Sequence, residues 1–327
     1  MKEEILQIFK EKNDFVSGQE LCEHFNVSRT AIWKAVKALK DSGYEIESVT
    51  NKGYRLKSVA DVLNETEIKN HLSTKKIAQQ LKYFDVIDST NLECKRIADA
   101  GQFYDGTLIV ADRQDAGRGR RGRTWECPAG INIAMSLLLK PDIAPDTASM
   151  LTIVMAMAVA NAVKKVSALD VKIKWPNDII INGRKFCGIL TEMSLEMDYI
   201  HYVIIGVGIN VNQLEFPEEI KDIATSVKLQ KGESVSRAKI VANVMAEFER
   251  FYEQFLADGD LSALMEEYNQ YLVSFAKEVR VLDPKGEFCG ISEGINSVGE
   301  LLVRKEDGNL ANVYAGEVSV RGIYGYV

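Results

Sequence analysis

"DAGRGRRGRTW", residues 115–125, sets Arg118, Arg120, Arg121 and Arg123 among Gly117, Gly119 and Gly122 and closes on Trp125. Glycine at that density disfavours the interior of a helix or strand. Four guanidiniums this close repel one another unless an anion sits among them. Planar guanidiniums grip phosphate oxygens in pairs, and glycine lets backbone amides come close to a ligand. The stretch reads as a phosphate-gripping loop, mobile when empty and ordered when filled. Taken alone, the same residues also fit an RNA-binding arginine–glycine segment or a solvated surface loop. The "ADRQ" strand before it and "TW" after it favour a loop fixed at both ends of a folded domain. It is neither GxxxxGK[ST] nor a GxGxxG that follows a strand, so P-loop and Rossmann readings fail.

Working outward, residues 75–272 mix strands and helices. "LKYFDVI", "GTLIVADRQ", "NIAMSLLL", "VKIKW", "DIIIN", "KFCGILTEM" and "YVIIGVGIN" read as strands, and 90–100, 146–166 and 236–257 as helices. Short turns such as Asn182–Gly183 join several strands, which predicts a mixed, largely antiparallel sheet. The most apolar stretch, "MLTIVMAMAVANAV" at 150–163, is shorter than the ~20 residues of a bilayer span and reads as a buried core helix. Residues 273–327 hold three strand-like stretches, "EVRVLDPKGEF", "GELLVRKEDGN" and "EVSVRGIYGYV", and predict a small β-barrel.

Residues 1–60 differ again. Ile5, Ile8 and Phe9 share a helical stripe, and "SGQE" at 17–20 is a capping box in which Ser17 caps and Glu20 reaches back. Ser28 caps a third helix, "SRTAIWKAVKALK". At 100° per residue, Ile32, Val36 and Leu39 share one face. Arg29, Thr30, Trp33, Lys37 and Lys40 share the other, with Lys34 at its margin. A hairpin turning at Asn51–Gly53 follows and carries Lys52 and Arg55. Helix, helix, basic helix, hairpin is the order of a winged helix-turn-helix. Ser28, Arg29, Thr30, Trp33, Lys34, Lys37, Lys52 and Arg55 are its candidate DNA contacts. Residues 61–74 read as a connector with a short helix capped by Asn64. The fold class is α+β.

The 327 residues carry a net charge of −7, which argues against a protein that coats nucleic acid indiscriminately but permits a local basic face. The five cysteines are widely spaced and form no CxxC, and the three histidines form no HExxH, so reduced thiols and no zinc site are expected. The charged "MKEEILQIFK" lacks a signal-peptide core, and a cytoplasmic protein with no membrane association is expected.

"DSTN" at 88–91, "DRQDAGRGRRGRTW" at 112–125, "KWPND" at 174–178, "KFCGILTE" at 185–192 and "GVGIN" at 206–210 occur in that order. With the winged helix and the C-terminal strands, the chain resembles the bifunctional biotin–protein ligases and biotin operon repressors over essentially its full length. The resemblance implies a central ligase domain and a small SH3-like C-terminal β-barrel. It implies that biotin and ATP, with Mg²⁺, form biotinyl-5′-AMP, and that a lysine of the biotin carboxyl carrier protein of acetyl-CoA carboxylase then takes the biotinyl group. It also implies an adenylate-bound homodimer on operator DNA. Lys185, Arg118 and Arg120 become the catalytic candidates. Ser89, Thr90, Asn91, Gln114, Arg118, Gly119, Arg120, Lys185, Gly206 and Gly208 become the biotin contacts. Arg120, Arg121, Arg123, Trp125, Asn177 and Asp178 become the ATP and adenylate contacts. From the residues alone, Lys185 is an exposed hairpin lysine, "DSTN" a helix cap, and Trp125 a core residue as readily as an adenine neighbour. A non-catalytic metabolite-sensing repressor and a lipoate-type ligase stay as alternatives.

Overall fold

The computed structural model describes residues 1–41, 43–58, 61–101, 103–196, 199–283, 286–315 and 319–322. The chain divides into two compact units, Met1–Asn70 and His71–Val327.

The first unit begins with α1 (Lys2–Lys12), α2 (Gly18–Phe25) and α3 (Arg29–Asp41), followed by the antiparallel hairpin β1 (Glu45–Val49) and β2 (Gly53–Ser58) and by α4 (Glu65–His71), which starts within it. Ile5, Phe9, Leu21, Ile32, Val36 and Leu39 form its core, each no more than 3% exposed. Each contributes on the order of 1.5–3 kcal/mol relative to an exposed position. Ser17 accepts from the Glu20 amide at 3.0 Å, as expected of a capping box. Glu20 does not reach back, because its carboxylate pairs with Lys12 instead. Ser28 accepts from the Ala31 amide at 3.3 Å. Asn64 caps α4 by accepting from the Glu67 amide at 2.8 Å. Buried Glu67 accepts from Lys10 Nζ at 2.6 Å and from the Tyr44 hydroxyl at 2.8 Å, which ties α4 to α1 and to the residue before β1.

The second unit continues with β3 (Leu81–Ile87), α5 (Thr90–Asp99), β4 (Thr107–Gln114), β5 (Ile133–Leu139), α6 (Met150–Ser167), β6 (Val171–Lys174), β7 (Asp178–Ile181), β8 (Arg184–Glu196) and β9 (Tyr199–Ile209). The seven strands form one sheet in the order β3-β4-β5-β9-β8-β7-β6. Only β3 and β4 pair in parallel, so the sheet is mixed and largely antiparallel. α5 packs on β4, β5 and β9, and α6 on β6 and α8 (Arg237–Asp258). With the 3₁₀ turn before it, the apolar α6 segment spans Pro145–Ser167, 23 residues, close to the helix expected over 146–166 and long enough by length and composition to cross a membrane. Yet 13 of the 18 residues of α6 are buried within this unit. A helix apolar all round belongs in a core.

Two short helices, α7 (Val227–Lys231) and α9 (Met265–Tyr271), flank α8. The tail forms β10 (Glu278–Leu282), β11 (Phe288–Ile295), β12 (Leu301–Lys305), β13 (Leu310–Val313) and β14 (Ser319–Gly322), an antiparallel sheet ordered β13-β12-β11-β10-β14. Part of the expected last strand, residues 317–318 and 323–327, lies outside the described residues. Trp175, buried beside cis-Pro176, donates Nε1–H to the Gly299 carbonyl at 3.0 Å and so joins the β6–β7 turn to the tail.

Candidate functional site

A cavity of about 470 Å³ opens over β4, β5, β7, β8 and β9. Every ligand-site candidate from the sequence lines it: Ser89, Thr90, Asn91, Gln114, Arg118, Gly119, Arg120, Arg121, Arg123, Trp125, Asn177, Asp178, Lys185, Gly206 and Gly208. Segments more than 100 residues apart in the chain converge here because β4 and β9 both pair with β5, and β8 pairs with β9.

The arginine loop is folded. Arg118 bridges to Thr124, the Gly119 amide donates to the Arg123 carbonyl at 2.7 Å, and the Trp125 amide donates to Gly117 at 3.0 Å. Arg121 turns the tip with φ 58°, left-handed backbone that costs a non-glycine residue energy and gathers at functional sites. Arg118, Arg121 and Arg123 are exposed. Arg120 reaches inward and donates to Asn177 Oδ1 at 2.8 Å and to the Ala315 carbonyl at 2.7 Å. Burial pulls its pKa down; neighbouring Arg121 and Arg123 act in the same direction and Asp178 opposes them. Asn177 is held in turn, donating Nδ2–H to the Ile189 carbonyl at 3.0 Å.

Lys185 enters from β8, just after the Asn182–Gly183 turn. Its backbone is clamped on both sides: its amide donates to Ile223 at 2.7 Å, and its carbonyl accepts from Thr225 at 2.8 Å. Its Nζ lies 2.6 Å from Asp178 Oδ1 and 5.6 Å from the centre of the Trp125 ring. The expectation of a merely exposed hairpin lysine therefore fails; the side chain is 27% exposed and faces the cavity. Trp125 stands against Gly208: a Cβ there would fall 2.3 Å from its indole atoms. Its buried Nε1–H has no hydrogen-bond partner among the described residues.

At the other end lies the "DSTN" segment. Ser89 is the N-cap of α5 but makes no side-chain capping bond. The Thr90 amide and hydroxyl lie 2.8 and 3.0 Å from Gln114 Oε1. Asn91 covers Gly206, where a Cβ would sit 2.2 Å from Asn91 Oδ1. The two glycines thus admit protein side chains as well as leaving the backbone open.

Sequence reasoning missed several lining residues. Lys174 opens the quoted "KWPND"; burial, chiefly, lowers its pKa to about 8. Arg321 arrives from β14, and Phe216, Ile220 and Ile223 from the segment after β9. No local motif marks these, since tertiary folding alone brings them in. Cys127 is buried, and burial with nearby Asp112 pushes its thiol up to about 12. No group of His, Cys, Asp and Glu suited to a metal occurs among the described residues.

In the first unit, α3 turns Arg29, Thr30, Trp33, Lys34 and Lys37 outward with Ser28 at its start, and Trp33 is 53% exposed. Lys37 Nζ stands 5.4 Å from the Trp33 ring centre. Arg29 donates to Gln19 at 3.1 Å. Lys52 and Arg55 lie over Phe15, and Arg55 pairs with Glu47 at 2.8 Å.

Fold and cavity define a ligase unit carried behind a helix-turn-helix. Three family models match the chain: biotin/lipoate A/B protein ligase family at residues 83–210, HTH domain at 2–55, and biotin protein ligase C terminal domain at 277–321. The bifunctional ligase/repressor BirA of Bacillus subtilis is 38% identical over 98% of both chains, and that of Escherichia coli is 31% identical over 94% of both. The biotin protein ligase of Aquifex aeolicus, solved with biotin and ATP, superimposes with a TM-score of 0.65 at 30% identity, covering 75% of this chain and 99% of that one. The chain belongs to the biotin protein ligases, in their bifunctional ligase/repressor branch.

Proposed function

We propose that the cavity joins biotin to ATP and passes the biotinyl group to a carrier-protein lysine. The biotin carboxylate attacks the α-phosphorus of ATP, pyrophosphate leaves, and the mixed anhydride biotinyl-5′-AMP remains. The carrier amine then attacks its carbonyl carbon, and AMP leaves. The carrying observation is that Lys185, paired with Asp178, lines one cavity together with the polar "DSTN" segment, Gln114 and the arginine loop. Two anions must meet, and the chain's cations offset their repulsion. Lys185 Nζ bridges the reacting carboxylate and α-phosphate; Arg118 and Arg120 assist. Arg121 and Arg123 hold phosphates, while Trp125, Asn177 and Asp178 face the adenylate. Ser89, Thr90, Asn91 and Gln114 bind the biotin head, with the Gly119, Gly206 and Gly208 backbones alongside. Positioning makes the encounter effectively unimolecular.

Mg²⁺ enters as a co-substrate on ATP. Asp178, Glu126 and Glu192 line the cavity, and no carboxylate cluster suited to a metal occurs among the described residues, which fits an ion carried by phosphates and one or two carboxylates. It neutralises phosphate charge when bound. The carrier is the biotin carboxyl carrier protein of acetyl-CoA carboxylase, and the protein works in the cytoplasm.

The first unit binds operator DNA with α3 in the major groove and the β1–β2 wing on the backbone. Lys34, Lys37, Lys52 and Arg55 meet phosphates; Arg29, Thr30 and Trp33 face base edges, with Ser28 at the helix start. Biotinyl-AMP orders the arginine loop and favours a homodimer, which favours the operator. Incubation with biotin, Mg-ATP and a carrier domain tests the enzyme: the carrier gains the mass of one biotinyl group. An unchanged carrier mass counts against the reading.

A further inference from the structure

The two units are joined just past α4, which ends at His71. Glu67 fastens α4 to the first unit through Lys10 and Tyr44. On the far side, Thr74 is already fixed. Its hydroxyl donates to the Ile77 carbonyl at 2.5 Å, and its carbonyl accepts from Gln79 Nε2 at 2.8 Å. Only Leu72 and Ser73 lie between His71 and Thr74.

One carboxylate holds the far side. Glu249, on α8, accepts from three consecutive backbone amides: Lys75 at 2.9 Å, Lys76 at 2.6 Å and Ile77 at 2.9 Å. Successive N–H groups that converge form an anion cradle, and a charged acceptor makes stronger bonds than a neutral one. Burial opposes the charge, but the amides of Ile77, Lys75 and Lys76 outweigh it and hold the carboxyl below its ordinary range. α8 is a firm base, because its Phe248 and Phe251 are fully buried. Past the cradle, Ala78 turns with φ 60°, and its amide donates to the Gly106 carbonyl at 2.8 Å. β3 then begins at Leu81.

Ile77 is buried by its own side chain, whereas Lys75 and Lys76 are exposed. Without the carboxylate, the amides of Lys75 and Lys76 turn to water, and residues 74–76 join the joint. Two residues span at most about 7 Å, and five about 17 Å. A tether that just spans its sites gives the highest effective concentration, and a longer one tolerates other spans at a lower one.

We propose that Glu249 is a positioning residue for operator recognition: by holding the backbone of Lys75, Lys76 and Ile77, it keeps the joint two residues long and so restricts the half-site spacing that a dimer accepts. This rests on the reading of the first unit as a reader of operator half-sites in an adenylate-loaded homodimer.

The test uses the full-length wild type, Glu249→Ala and Glu249→Gln. Biotinylation of a carrier domain should stay within about twofold in both variants, since Glu249 is not among the cavity-lining residues. Trypsin should cut after Lys75 or Lys76 about tenfold faster in E249A, with E249Q between it and the wild type. Hydrogen exchange at the amides of Lys75 and Lys76 should quicken by a similar factor. Duplexes selected from a random library by the wild type loaded with biotinyl-AMP supply the operator. Each base pair inserted between half-sites moves them about 3.4 Å apart and about a tenth of a turn around the axis. Two inserted pairs should cost the wild type about tenfold or more in affinity, and E249A about threefold or less. Unchanged protection of the two amides overturns the proposal. So does faster exchange with a loss of affinity that is equal at every spacing, the mark of a merely structural role. Should E249A not fold, E249Q decides by the same measurements. A wild type that selects no duplex overturns the operator reading together with this proposal, whereas an unchanged spacing profile overturns this proposal alone.

Discussion

Lys185 Nζ and Asp178 Oδ1 stand 2.6 Å apart in the cavity lining, on neighbouring strands β8 and β7. The carboxylate holds the ammonium in the cavity that the arginine loop and the "DSTN" segment also line. Lys185→Ala should reduce the rate of pyrophosphate release by about 10²–10³, the usual cost of losing one donor at developing charge. Biotin affinity measured calorimetrically should fall much less. Equal losses in binding and rate would assign Lys185 to ground-state binding alone.

Gly208 leaves space for Trp125, and an added Cβ would come within 2.3 Å of the indole. Gly208→Ala should displace the ring or strain the sheet at a cost of about 1–3 kcal/mol. A lower Tm together with altered tryptophan fluorescence is the expected result. Wild-type stability with an unchanged spectrum would show that the ring is not seated there.

Lys174 yields a pH dependence. Burial, chiefly, lowers its pKa from 10.5 to about 8. The folded protein thus releases this proton before the unfolded chain does. The cost of the buried charge is fully present below about pH 8, and stability rises as pH climbs from there toward 10.5. ATP binding should move the other way: its KM should increase as pH passes about 8 and the cation is lost. Lys174→Gln should abolish that inflection; a variant retaining it would place the titration elsewhere.

On the DNA face, Lys34→Ala and Lys37→Ala should each lower the slope of log affinity against log salt by about 1, with losses similar across operator sequences. Trp33→Ala should instead reduce discrimination between operator and random DNA. A salt titration by fluorescence anisotropy separates the two behaviours.

Much of this architecture was legible in the residues. Apolar runs bounded by turn residues revealed β3 to β9, and the stripe of Ile32, Val36 and Leu39 correctly oriented α3. β11 was obscured because Gly290 and Gly294 interrupt its pattern. The Glu20 reach-back failed because Lys12, eight residues away in sequence, offers that carboxylate an ion pair. Motifs marked Lys185 and the arginines, since their chemistry is concentrated in short stretches. Ser136 and Arg321 carry no such local signal, and Lys174 and Glu192 sit at the ends of the quoted "KWPND" and "KFCGILTE" stretches, where nothing local singles them out. Their meaning arises from strand register, which sets Ser136 opposite Gly206 and so beneath Asn91.

The central claim is that this cavity makes a mixed anhydride, and single-turnover pyrophosphate release without any carrier tests it most directly. The account predicts a rapid, biotin-dependent burst of about one pyrophosphate per active site, with biotinyl-AMP retained on the protein. No burst, or ATP cleavage indifferent to biotin, would contradict it.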